Sequence, residues 1–483
     1  MVSPDNLKQR TVRALAWSTA ERIGRQGFQF VITVVLARLL TPEDFGLIGI
    51  LTVFIVTAEA FVNNGFGAAI IQRTEVSEDD LTTAFLASVG TAVGLFFLTF
   101  GLARLLADFY RRPELVPLTR LVAVVIVLDS LIIIQRAIFE RSLDFRTLSQ
   151  ITIAATMISG VGAVGLAVAG FGVWSLAAHI VAQKALLALF LWYRSIWVPR
   201  GRFRLRSFTN LLQFGWKLQV SALLNRLFRN VYVLVIGRAF SVDIVGYYAQ
   251  AKRMKDLPMT NLAEIVNRVT FPAFATIQDQ RDRLKRGYRR TMTMLAMVAF
   301  PLMTGMLITA PRLIPVLLGG QWEPAIPLFQ LLCLVGVLYV LQATNMNILK
   351  VTGRSDLFLK LSIVKKVITL TAVAVSIRWG LYGLVIGQVV TAYIAYALNA
   401  TVAGRLIDYS MKKQIEDVAP YLALTAVMAL FVWLIGHTGA LPDGAVLILQ
   451  TVAGIGVYVG LNVLFSTSAW TAMLGLLPTR IGR

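Results

Sequence analysis

About fourteen apolar stretches, each long enough to cross a lipid bilayer as a helix, follow one another along this chain of 483 residues. A hydrocarbon core of about 30 Å takes roughly 20 helical residues. The runs fall at approximately 11–39, 43–69, 81–108, 115–137, 146–169, 171–193, 208–239, 243–275, 288–317, 324–350, 356–378, 380–405, 418–436 and 444–466. Lipid gives a backbone amide or carbonyl no partner, so only helices and closed barrels span it. Barrel strands would read as short alternating segments; these runs are long and continuous, so helices are expected. With 57% hydrophobic residues and a mean hydropathy of +0.72, the chain is not a soluble domain. The expected fold is all-α and integral to the membrane.

Charge sets the orientation. Only 15% of residues are charged, yet the net charge is +21. An even number of spans puts both ends on one side. With both termini in the cytoplasm, the loop at 194–207 becomes cytoplasmic, carrying Arg194, Arg200, Arg202, Arg204 and Arg206 with no acid. So does the loop at 276–290, with Arg281, Arg283, Lys285, Arg286, Arg289 and Arg290. The opposite loops hold few bases, such as Arg111, Arg112, Arg312 and Arg378, which fits the positive-inside rule. The basic loop is read as touching anionic lipid rather than nucleic acid. Trp192, Tyr193, Arg194 and Trp197 are read as an inner-interface anchor. Residues 1–13 are polar, and the following run is too long and too charged for a cleavable signal, so it is expected to stay as the first helix.

The two halves repeat. Arg38, Thr41, Glu43 and Gly46 recur in register as Arg238, Ser241, Asp243 and Gly246, 200 residues on. A looser echo joins Gly170-Phe171-Gly172-Val173 to Gly380-Leu381-Tyr382-Gly383-Leu384. Six spans separate the copies, so they share one orientation, as parallel repeats about an axis along the membrane normal do. The expected organisation is a lobe at 1–200 with helices 1–6, a lobe at 201–405 with helices 7–12, and a last pair of helices with a cytoplasmic tail at 406–483. Two pseudo-symmetric six-helix lobes would enclose a central cavity.

The first helix of each half carries cations in mid-membrane, where they are costly and mark function. Ser18, Arg22, Arg25 and Gln29 form one stripe, with Glu21 one turn from Arg25. Lys217, Ser221, Asn225 and Arg229 form another, flanked by Arg226 and Asn230. The eighth span adds Lys252, Arg253, Lys255 and Asp256, and further on Glu264 and Arg268; the eleventh holds Lys365 and Lys366 close enough to the cytoplasm to snorkel. Two readings compete: pairing with neighbouring acids, or an aqueous cavity that attracts an anion. Bases outnumber acids in these stretches, which favours a cavity for Arg22, Arg25, Lys217, Arg226, Arg229, Lys252, Arg253 and Lys255. Guanidinium forks match phosphate oxygens in bidentate fashion. Glu21, Glu59 and Asp129 lie in apolar helices as ion-coupling candidates, against the alternative of structural ion pairs.

Thr41-Pro42-Glu43-Asp44 could be catalytic in a membrane glycosyltransferase, but the residues also make a helix start: a capping hydroxyl, a first-turn proline and two acids on the positive end of the dipole. The repeat copies the cap without needing a second active site, so capping is preferred. Pro258 and Pro301 fall inside spans and bend them. The lone Cys333 forms no internal disulfide, His179 is expected to pack within a span, and no metal site is expected. No nucleotide-binding loop of the G-x-x-x-x-G-K-[ST] kind occurs, and no polar loop exceeds about 20 residues. No cofactor is expected.

The ordered motifs resemble a known family. They are Leu15-Ala16-Trp17-Ser18 through Arg38–Gly46, Gly65-Phe66-Gly67-Ala68-Ala69-Ile70-Ile71-Gln72-Arg73, Glu140-Arg141-Ser142-Leu143-Asp144-Phe145-Arg146, Phe214-Gly215 and Gly353-Arg354-Ser355-Asp356. Over most of 10–405 they resemble the Wzx-like polysaccharide transporters of the multidrug/oligosaccharidyl-lipid/polysaccharide superfamily, with the exopolysaccharide subgroup nearest. That resemblance implies a flippase in a bacterial inner membrane that carries an undecaprenyl-pyrophosphate-linked oligosaccharide to the outer leaflet. It implies two lobes rocking about a V-shaped cavity, driven by a proton or sodium gradient. Its partners would be membrane lipids and a polymerase and chain-length regulator of the same pathway, with no nucleic acid. Two alternatives stand beside it. A multidrug-type antiporter for cationic drugs would show an acidic cavity, and a glycosyltransferase or ligase would need Glu43 or Asp44 for catalysis.

Overall fold

A computed structural model describes residues 24–63, 65–73, 75–195, 197–437 and 441–474, with backbone alone at 63, 210–222 and 224. Among these residues there is no strand. The helices are α1 (24–39), α2 (Pro42–Asn63), α3 (Phe66–Gln72), α4 (Glu78–Tyr110), α5 (Leu115–Arg141), α6 (Phe145–Val168), α7 (Val173–Arg194) and α8 (Leu205–Ala239). They continue as α9 (Val242–Ala275), α10 (Arg281–Leu318), α11 (Ala325–Val351), α12 (Ser355–Ser376), α13 (Gly380–Leu406), α14 (Met411–Gly436), α15 (Asp443–Leu464) and α16 (Ser468–Leu474). Nine of the described helices are long and apolar enough to cross a membrane. Outward-facing Phe97, Leu98, Leu105 and Phe109 on α4, and Ile448, Val452 and Leu464 on α15, are exposed apolar surface of the kind lipid covers.

Local chemistry explains the helix ends. Thr41 and Asp44 form a reciprocal cap at the start of α2. The Thr41 amide and hydroxyl donate to Asp44 Oδ2 at 2.9 and 2.8 Å, and the Asp44 amide returns a bond to the hydroxyl at 3.3 Å. Glu43 pairs with Arg112 at 2.7 Å. Both acids are thus engaged structurally. Ser77 and Asp80 repeat the device on α4. The second span differs from its expected course: α2 stops at Asn63, Gly65 takes a left-handed φ of 68°, and α3 restarts at Phe66. Gly65 is the residue able to adopt that turn cheaply. Arg141, at the end of α5, then donates to Ile70 O at 2.7 Å and Arg73 O at 2.6 Å, satisfying the end of α3. The ninth span begins seven residues earlier than expected, because α10 runs from Arg281 through the basic segment read as loop. Pro258 and Pro301 lie inside α9 and α10 as expected.

The basic loop between α7 and α8 is strapped down rather than free. The Arg202 amide donates to Asp79 Oδ1 at 2.8 Å, the Gly201 amide to Thr82 Oγ1 at 3.1 Å and the Arg204 amide to Thr83 Oγ1 at 3.0 Å. Arg204 also pairs with Asp79 at 2.5 Å. A side chain at Gly201 would press on Glu78 O at 2.7 Å, so the backbone lies directly on α4. The tryptophans read as an interface anchor turn inward instead. Trp197 Nε1 donates to Glu78 at 2.7 Å, Trp192 Nε1 to Leu131 O at 3.0 Å, and both rings meet Phe85 edge-on. Indole N–H groups need acceptors, and a carbonyl within α5 and a carboxylate at the start of α4 supply them. Of that cluster Tyr193 and Arg194 stay exposed.

The chain forms two compact units, Met1–Gly246 and Tyr247–Arg483. The repeat boundary near 200 is one of symmetry; the unit boundary is one of packing, because α8 packs on α2, α3 and α4. At the edge of the first unit the repeat is visible in contact geometry. A Cβ on Gly46 would overlap the Val242 carbonyl oxygen, and a Cβ on Gly246 would overlap that of Pro42. The first turns of α2 and α9 therefore cross backbone to backbone. The second unit has a core of Tyr288, Met292, Phe300, Met303, Leu341 and Tyr421. Arg312 holds the last helix pair to it, donating to Gly436 O at 2.5 Å and pairing with Asp443 at 3.2 Å.

Candidate functional site

Three apolar helices of the first unit bring charge to one buried point. Glu59 lies on α2, Asp129 on α5 and Lys184 on α7, and α5 packs against both of the others. The Lys184 ammonium donates to Asp129 Oδ1 at 2.6 Å and to Glu59 Oε1 at 3.0 Å. Asp129 is 7% exposed, and its Oδ2 is buried without a hydrogen-bond partner. A lone ion here would be driven neutral; one shared ammonium supplies opposite charge to both buried carboxylates.

One lysine does not balance two acids. The fourth charge comes from α8, where Arg226 Nη1 donates to Val56 O at 2.9 Å, one turn before Glu59, and its positive field reaches that carboxylate. Among the described residues no carboxylate lies within ion-pair distance of Arg226, so a backbone carbonyl holds it. Asn230 Nδ2 donates to Arg226 O at 3.1 Å, one turn further along. Nearby on α7, Gln183 Nε2 bonds Thr156 Oγ1 at 3.0 Å, adding a neutral link to α6.

The second repeat builds a similar scaffold without this cluster. Glu59 corresponds, 200 residues on, to Met259, which is buried in the second unit's core. Lys184 corresponds, through Gly170 and Gly380, to Ile394. The ionic cluster is therefore not something the fold requires.

The remaining sequence-derived candidates divide by unit. Arg22 and Glu21 lie outside the described residues, as does the side chain of Lys217. Arg25 is half-buried on α1, which packs on α6 where a Cβ on Gly24 would touch Ile153. Arg229 is exposed, one turn beyond Arg226. In the second unit, Lys255 is buried and pairs with Asp256 at 2.5 Å, and Lys252 approaches the same carboxylate at 3.9 Å. The internal-pairing reading thus holds for those two lysines. Arg253 beside them is half-buried and, among the described residues, has no carboxylate within ion-pair distance. The structure joins Glu59 and Asp129 around one lysine, with Arg226 on Val56 O one turn before Glu59, and Lys252 and Lys255 around one aspartate.

Lys184 is the residue that sequence reasoning overlooked. It is the only lysine or arginine in α7 before the terminal Arg194, and it sits in an apolar run. Two acids in the second and fourth spans, neither with a base one turn away in sequence, were the signal: they required a base.

Comparison with known proteins places this arrangement in context. A family described as "Polysaccharide biosynthesis protein" matches residues 35–327. Teichuronic acid biosynthesis protein TuaB of Bacillus subtilis is 30% identical over 73% of each chain. Succinoglycan biosynthesis transport protein ExoT of Rhizobium meliloti is 26% identical over 94% of this chain and 92% of its own. Among solved structures, lipid II flippase MurJ in an inward closed conformation superposes with a TM-score of 0.75 at 14% identity, covering 93% of this chain and 98% of that one.

Proposed function

Because this chain belongs to the polysaccharide biosynthesis protein family, we propose that it is a flippase for an undecaprenyl-pyrophosphate-linked oligosaccharide, exporting repeat units for a surface or extracellular polysaccharide. It is a multi-pass membrane transporter, not an enzyme, as the transport role in the name of its relative ExoT supports. The fold shared with a lipid II flippase supports the same class of cargo. The protein resides in a bacterial inner membrane with both termini in the cytoplasm, and it works with a polymerase and a chain-length regulator.

The observation that carries this reading is positive charge with no acid partner among the described residues, inside helices expected to span, of which Arg253 on α9 is the clearest case. Such a charge calls for an anion that the described residues do not provide. Arg22, Arg25, Lys217, Arg226 and Arg229 join it in attracting the pyrophosphate, while Lys252 and Lys255 are held by Asp256. A multidrug antiporter for cationic compounds would place acids there instead.

The Glu59–Asp129–Lys184 cluster handles the coupling ion. Arg226 completes its charge balance while bound to Val56 O. When cargo draws that guanidinium away, the charge balance at the cluster changes, which links cargo binding to ion occupancy there.

Flipping in proteoliposomes tests the assignment. Arg229→Ala and Arg253→Ala should each slow transfer about tenfold or more, the worth of one charge-assisted hydrogen bond. Undiminished transfer by both variants, in protein shown to be inserted, would reject the reading.

A further inference from the structure

Lys365 on α12, a helix expected from the sequence to span the membrane, is an ammonium whose one described partner is a thioether. Its Nζ lies 3.5 Å from Met346 Sδ on α11, a weak acceptor for a full charge. Among the described residues no carboxylate lies within ion-pair distance. Its position on the helix rules out the simplest remedy, contact with lipid headgroups around the protein. Leu361 and Val373 are buried, and Lys365 and Thr369 are half-buried, along one stripe facing the neighbouring helices. Ile363, Val364, Val367 and Leu370 form the exposed side that lipid covers. The ammonium is therefore on the protein side of α12.

Depth is fixed by the helix rise. Lys365 lies ten residues from the start of α12, about 15 Å along its axis. Its side chain leans back towards that start, as helical side chains do, and reaches Met346, five residues, about 8 Å, from the end of α11. On the positive-inside orientation both helix ends are cytoplasmic. The charge thus waits just beneath the inner headgroup layer, facing protein.

We infer that Lys365 is an anion-binding residue for the cargo, receiving an oxyanion of the lipid-linked saccharide as its head leaves the inner leaflet. The inference rests on the flippase reading above. A lysine acts there as a mobile point charge, able to follow a phosphoryl or carboxylate oxygen without a fixed fork.

Binding of farnesyl diphosphate to the full-length protein in nanodiscs tests it, with a farnesyl-linked neutral sugar and a farnesyl-linked uronate as further arms. Lys365→Met should weaken diphosphate binding about tenfold or more, and Lys365→Arg by less than about threefold. Loss confined to the uronate arm would keep the inference and move the contact from phosphate to acidic sugar. Thermal stability is the second readout. Lys365→Met removes an uncompensated charge and should melt at or above the wild-type temperature, whereas a lysine serving only structure would lower it on removal. Wild-type affinity of Lys365→Met for both anionic probes would overturn the inference and leave the flippase reading standing. Failure of the wild-type protein to bind any polyprenyl diphosphate would instead overturn the flippase reading, and this inference with it.

Discussion

Gly46 and Gly246 occupy equivalent places in the two repeats, and each one's missing side chain is filled by the other helix's first-turn carbonyl. The obstructing atoms belong to backbone, so no rotamer change relieves them. Gly46→Ala and Gly246→Ala should each lose about 2 kcal/mol or more of stability. Gly90→Ala, on α4 with open space where a Cβ would go, should gain up to about 1 kcal/mol from helix propensity. Unfolding of purified protein by SDS titration measures all three. Equal effects at the three sites would mean that the crossing of α2 and α9 does not persist in the membrane.

Lys184→Met leaves two buried carboxylates facing each other and should destabilise by about 3–5 kcal/mol. The triple variant Lys184→Met, Glu59→Gln, Asp129→Asn removes the three charges that meet there, leaves Arg226 on Val56 O, and should recover most of that loss. It should nonetheless fail to respond to an imposed ion gradient in the flipping assay. Full gradient response in the triple variant would reduce the cluster to an internal brace.

The strap between α7 and α8 makes a protease prediction. Arg200, Arg202, Arg204 and Arg206 expose their side chains, but the backbone between them is bonded to α4. Asp79→Ala deletes two of the ties and should raise the rate of tryptic cleavage in this segment about tenfold or more. Wild-type protein cut as fast as the variant would show that the strap opens freely.

A diphosphate leaving a negatively charged interior moves with the membrane potential, which supplies about 2.3 kcal/mol per elementary charge per 100 mV. An inside-negative diffusion potential should shift the leaflet distribution of cargo outward by about fiftyfold per uncompensated charge per 100 mV. The slope reads net charge moved. A zero slope would mean that ions carried at Glu59 and Asp129 neutralise the cargo completely.

Double replacement of Glu43 and Asp44 by Ala should remove a helix cap and a surface ion pair, for about 1–2 kcal/mol in total. Flipping should persist in protein that folds, at a level that tracks folded yield. Transport abolished at full folded yield would give these acids a direct role.

Much of this was legible in the sequence, for identifiable reasons. The helices follow from runs of apolar residues, a one-dimensional signal. The cap at Thr41 and Asp44 is local, three residues apart, and read correctly for that reason. What escaped involved partners distant along the chain. Trp197 finds Glu78 across 119 residues, Arg204 meets Asp79, and Lys184 joins acids 125 and 55 residues away. Hydropathy places all of these near helix ends or within spans but carries no rotation about the helix axis, so a tryptophan beside a basic loop read as a lipid anchor. The break after Asn63 was carried by Asn63-Asn64-Gly65, a stop signal hidden inside an apolar stretch.

Met259, standing where the first half has Glu59, makes the duplicated architecture unequal in its work. One half houses a buried knot of opposite charges; the other presents an apolar side chain at the matching position. A chimaera of two second halves would have the scaffold without that knot, and a chimaera of two first halves would have two of them. Duplication here supplied the frame, and divergence decided which side holds the charge.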